Sequence, residues 1–75
     1  IIAKRLDDAT LIGALLYRLG RTEQFSYYYD KAIDYYEESN EYFEIVNDTA
    51  KIFLNHYFIA EAYGRFNKDE KAIKY

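Results

Sequence analysis

Seventy-five residues without Cys, Met, Trp or Pro bound the chain to a single small domain, in which folding buries only about 60% of the unfolded surface. Without cysteine there is no disulfide framework, thiolate zinc site, Fe–S cluster or thiol nucleophile, so stability must come from packing. Ten basic residues face thirteen acidic ones, and ten Tyr with five Phe supply the contact area that argues against disorder. The apolar runs fall short of the roughly 20 residues that span a bilayer. Lys4 and Arg5 follow directly on Ile1, Ile2 and Ala3, against a secretory leader. A cytoplasmic protein is expected, and the missing initiator Met and the stop at Tyr75 within a helical pattern suggest a processed chain or a fragment.

Apolar residues recur three and four apart and never alternate for long, the signature of an all-α chain. Ile2, Leu6, Ala9, Ile12, Leu16 and Leu19 mark a first helix over residues 2–19, which Gly20 ends by taking a left-handed conformation. Thr22 then caps a second helix over 22–46, whose buried stripe runs Phe25, Tyr29, Ala32, Tyr36, Ser39, Phe43 and Val46. Asn47 or Asp48 caps a third helix over 49–66. The stripe continues in register through Ala50, Phe53, Tyr57 and Ala60, which leaves one long helix over 22–66 open as an alternative. The third helix is apolar on more than one face, as a central helix packed between two neighbours would be. Asn67 takes the next turn, and a short fourth helix opens at 68–75. The expected fold is therefore a set of antiparallel helical hairpins, three long helices plus the short C-terminal one.

The string Asp30-Lys31-Ala32-Ile33-Asp34-Tyr35 returns as Glu70-Lys71-Ala72-Ile73-Lys74-Tyr75, 40 residues later. The segment from Leu11 to Arg21 followed by Phe25, Tyr29 and Ala32, and the segment from Ile59 to Tyr63 followed by Asn67, Ala72 and Ile73, resemble the tetratricopeptide repeat (TPR). About one and a half repeats are covered. The resemblance implies helix packing through Gly13, Leu16, Gly20, Ala32, Ala60, Tyr63 and Ala72, with Gly13 and Ala60 admitting close approach. Phe25 stands where that family prefers a small residue, no Pro closes a repeat, and the two matches lie farther apart than 34 residues. Its peptide clamp of Lys and Asn is replaced by Thr10, Ala14, Tyr57 and Glu61, so that ligand class is not implied. One and a half repeats are also fewer than the three or so a solenoid needs. Self-association or origin in a longer array is expected to cover the remainder.

No constellation carries chemistry. His56 is the sole histidine and lacks a carboxylate or nucleophile at catalytic spacing. The adjacent acids Asp7 and Asp8, Glu37 and Glu38, and Asp69 and Glu70 project about 100° apart on a helix and do not converge on a metal. Asn47-Asp48-Thr49 fits a glycosylation acceptor, but a helix cap is the expected role. The chain is thus expected to be no enzyme and to hold no cofactor.

Charge is uneven. Residues 23–48 hold eight acids and one base, Lys31, which makes the second helix an acidic rod suited to a basic protein or peptide. A nucleic acid would want a basic stripe, and a membrane a longer apolar span. Tyr28, Tyr35 and Tyr42, seven apart, form a band wider than one neighbouring helix covers. With Glu38 and Glu41 they make the candidate interface. The expected function is a non-enzymatic helical protein interaction or scaffold module, TPR-like and homo-oligomeric or taken from a longer array. A structural or engineered helical bundle with no natural ligand is the alternative.

Overall fold

The computed structural model describes the backbone of residues 2–74 and the side chains of residues 7–65. It is all-helical, with α1 (Ile2–Phe25), α2 (Tyr29–Ile45) and α3 (Thr49–Lys74), and no strand among the described residues. The chain turns twice, so residues 22–66 do not form one long helix.

Both turns are built alike. After α1, Tyr28 N–H donates to Glu23 O (2.9 Å) and Tyr27 N–H to Gln24 O (3.1 Å), with Tyr27 at φ 69°. After α2, Asp48 N–H donates to Phe43 O (2.9 Å) and Asn47 N–H to Glu44 O (3.1 Å), with Asn47 at φ 59°. These paired bonds around one left-handed residue are the Schellman stop, which satisfies carbonyls that a helix end leaves orphaned. Asn accepts that conformation readily; Tyr does so at a cost. Asp48 caps α3, accepting the Lys51 backbone N–H at 3.3 Å, with the Lys51 ammonium 3.5 Å from its other oxygen. The acid at the helix start also suits the positive end of the helix dipole.

The first turn corrects the expectation for Gly20 and Thr22. α1 runs past both to Phe25, and Thr22 lies inside it, its hydroxyl donating to Arg18 O (3.0 Å) in place of capping α2. Gly20 is needed mid-helix because the Tyr36 ring lies where its side chain would be: a Cβ there would stand 2.6 Å from Tyr36 Cε1. At Gly13 a Cβ would stand 2.9 Å from Phe43 Cε1. Two glycines on α1 thus receive two rings on α2, and the opposite order along the chain makes the helices antiparallel.

The central helix is α2, packed along both α1 and α3, and not the third helix as its broad apolar surface suggested. Its stripe is buried at Tyr29, Ala32, Tyr36, Ser39 and Phe43, while Phe25 is exposed and Val46 half-buried. Toward α3, Tyr29 and Ile33 cluster with Ala62 and the partly buried Ile59. α1 and α3 meet through side chains above α2: the Tyr17 and Phe58 rings lie 5.9 Å apart, tilted by 46°, and the Arg21 guanidinium lies 4.1 Å from the Phe58 ring centre. The radius of gyration, 14.0 Å, exceeds the roughly 11 Å of a compact domain of this length. The helices form a narrow, elongated stack with a small core.

On α1 the face turned to α2 is the small-residue side, Ala9, Gly13 and Gly20, with Leu16 half-buried; Ile12 and Leu19, placed in the expected stripe, are exposed. α3 continues through Asn67 to Lys74, so no separate fourth helix follows a break there. The side chains of Phe66 and Ala72, and all of Tyr75, lie outside the described residues.

Candidate functional site

Two buried polar networks tie the helices together. Ser39 Oγ donates to Gly13 O at 2.7 Å, and Asn55 Nδ2 donates to Ser39 Oγ at 3.0 Å and to Asn40 Oδ1 at 2.7 Å. Asn55 is 1% exposed, and its own Oδ1 receives no bond from the protein. A carbonyl that Gly13 could offer only because the helices approach so closely is thereby linked across α2 to α3. Toward the other end Tyr36 Oη donates to Gln24 Oε1 (2.7 Å), Gln24 Nε2 donates to Glu61 Oε1 (2.8 Å), and Arg21 Nη1 donates to Gln24 Oε1 (3.4 Å). Burial pushes the Tyr36 phenol above its ordinary pKa, and the nearby Arg21 charge opposes the rise. Buried groups paired across helices in this way fix their register.

Among the described residues no three of His, Cys, Asp and Glu converge to hold a metal, and His56 is exposed on α3. An open recess of about 230 Å³ is lined by Arg21, Gln24, Phe25, Tyr27, Tyr29, Glu61 and Arg65. Its most buried polar groups, Gln24 and Tyr36 beside it, already satisfy one another. No helix among the described residues is long and apolar enough to cross a membrane.

The surfaces carry more information. The predicted tyrosine band lies on one flank of α2: Tyr28 is 56% exposed, Tyr35 and Tyr42 are half-buried, and Glu38 and Glu41 are exposed. Lys31 reaches back over the Tyr28 ring at 5.2 Å, and Tyr35 and Glu38 line an open recess with Glu23, Lys31 and Asp34. Glu41 does not join that recess; with Asp30, Asp34, Glu37 and Glu44 it belongs to a row of carboxylates at steps of three and four. All of that row is exposed, along the flank of α2 where Asp30 and Asp34 share an open recess with Tyr63 of α3.

Sequence reasoning underestimated the outer sides of α1 and α3. Opposite the glycine side, α1 presents Leu11 and Leu15, 63% and 59% exposed. Opposite α2, α3 presents Phe53 and Tyr57, 68% and 62% exposed, in line with exposed Ala50, Ala60 and Gly64. Among the residues expected to pack, the structure buries Gly13, Gly20 and Ala32, half-buries Leu16, and leaves Ala60 and Tyr63 exposed. The signal that could have found this was in the stripe Ala50, Phe53, Tyr57, Ala60: a helix with two apolar sides and one neighbour must show one of them.

The chain matches no family model, no curated protein and no solved structure. Its function must be argued from its surfaces.

Proposed function

We propose that this chain is a non-enzymatic helical interaction or scaffold module, a TPR-like stack of helices whose outer sides meet other protein surfaces. The observation that carries the reading is the contrast between a small core and a large apolar exterior. Among the described residues the buried apolar side chains are Ala9, Tyr29, Ala32, Ile33, Tyr36, Phe43 and Ala62, whereas Leu11, Leu15, Phe25, Phe53 and Tyr57 are each more than half exposed. Large apolar side chains gathered along the outer side of a helix, as Phe53 and Tyr57 are on α3, mark an interaction surface. The acidic row on α2 adds a second, electrostatic surface that favours a basic protein or peptide by steering.

Leu15→Glu and Phe53→Glu test the reading, measured by urea unfolding at submicromolar concentration. If these side chains serve contacts beyond the monomer, each variant keeps its unfolding free energy within about 0.5 kcal/mol of the parent, as surface substitutions do. Losses of the size seen for core truncation, about 2–5 kcal/mol, would assign the side chains to the fold and sink the proposal.

A further inference from the structure

Inside the molecule, helices join by setting rings against small residues. α1 supplies the small positions, Gly13 and Gly20, and α2 supplies the rings, Phe43 and Tyr36. The outer side of α3 carries both halves of that device on one line, in the order Ala50, Phe53, Tyr57, Ala60, Gly64, and every one of these residues is exposed. A Cβ on Gly64 would meet nothing within 4 Å, so its missing side chain serves no contact in the monomer. Such a line is its own complement when run antiparallel. With Tyr57 at the centre, Ala50 falls opposite Gly64 of the second copy, and Phe53 falls beside Ala60, between it and Glu61.

We infer that α3 pairs antiparallel with α3 of a second copy, giving a two-fold dimer closed through Phe53, Tyr57, Ala60 and Gly64. The inference rests on the interaction reading above and names its partner. Three further observations favour a second copy over a different protein. An isologous interface requires a self-complementary patch, and this one has rings and gaps in matching positions. Together with Leu54 on the same helix and Phe25, which shares a recess with Glu61 and Arg65 of α3, the patch leaves on the order of 600 Å² in water per copy, the per-partner burial at the lower end of specific interfaces. Its charges do not forbid the meeting of two like-charged molecules. Phe53, Tyr57, Ala60 and Gly64 carry no charge, and the carboxylate row lies on α2 and not on α3, so the line itself sets no like charges face to face.

Sedimentation equilibrium of the full chain, from about 1 to 200 µM, tests the pairing. The expected mass rises from 9.0 kDa toward twice that value with a micromolar midpoint. Phe53→Glu remains at monomer mass with unchanged helical circular dichroism. Ala60→Leu is the more telling variant, because it makes the face more apolar while filling the position that receives Phe53. The pairing predicts at least about tenfold weaker association, whereas an indiscriminate sticky patch predicts stronger association. Monomer mass across the whole range overturns the dimer, as does a dimer that survives Phe53→Glu or gains strength with Ala60→Leu. A chain that stays monomeric while Leu15→Glu and Phe53→Glu keep full stability loses the second copy as partner but retains the interaction reading.

Discussion

Gly20 and Gly64 occupy comparable places, each past the middle of a long helix, yet one is covered by the Tyr36 ring and the other faces open space. Glycine in a helix interior costs roughly 0.5–1 kcal/mol against alanine, because it gives up more backbone freedom. At Gly20 that cost is offset by the approach of α2, which brings Tyr36 to complete burial and the Ser39 hydroxyl to the Gly13 carbonyl. Among the described residues nothing lies within 4 Å of a Cβ on Gly64 to offset it. The pair teaches that a helical glycine can be judged only from what lies against it, and that an uncovered one beside exposed rings points to a contact beyond the chain.

The largest test of this contrast is Gly20→Ala. Its methyl would meet two atoms of the Tyr36 ring at 2.6 and 2.8 Å, and a ring held on all sides has nowhere to move. A net loss of about 1–3 kcal/mol is expected by urea unfolding, despite the gain in helix propensity. An unchanged or raised stability would show that the two helices are not so close. Tyr27→Gly should move stability the other way. Tyr27 holds a left-handed conformation at φ 69° that a side chain resists by roughly 1–2 kcal/mol. Glycine there should add about 1 kcal/mol after its entropy cost, and a loss instead would mean that the edge-to-face contact of the Tyr27 ring with the Tyr29 ring, 6.2 Å between centroids, matters more. Gly64→Ala completes the comparison with a gain of about 0.5–1 kcal/mol, read at submicromolar concentration.

A smaller effect concerns pH. The Tyr36 phenol is raised above its ordinary 10.0, so the folded state holds that proton more tightly than the unfolded state does. The stability linked to it is fully present below about pH 10 and is lost as pH rises through the folded value. Between about pH 9 and 11 the parent should therefore lose more unfolding free energy than Tyr36→Phe, which has no such proton to release. Parallel loss in both proteins would remove the linkage from Tyr36.

The stripe of α2 was legible in sequence because its period of three and four and its neighbours agree: Tyr29, Ala32, Tyr36, Ser39 and Phe43 are all buried. The cap at Asp48 was legible for the same reason, a short-range pattern answered by a short-range bond. Gly20 was misleading. Locally it looks like a helix stop, and only a ring 16 residues onward makes it a packing residue, while the true stop uses Tyr27, a residue no turn rule favours. That misplacement also rotates α1: once the glycine side is chosen for contact, Ile12 and Leu19 must turn outward. The candidate interface was legible in part, since the tyrosine flank and acidic row were visible in spacing. The outer sides of α1 and α3 were hidden, because periodicity reports that a side is apolar without saying whether a neighbour exists to cover it. Gln24 and Asn55 gave no sequence signal, as their burial depends on partners from other helices.

The account turns on which side of α1 faces α2, and proton NMR can read that directly through nuclear Overhauser contacts at submicromolar to low micromolar concentration. It predicts cross-peaks from the Tyr36 ring to the α protons of Gly20 and from the Phe43 ring to those of Gly13. Cross-peaks from those rings to the methyl groups of Leu19 and Ile12, with the glycine protons silent, would contradict it.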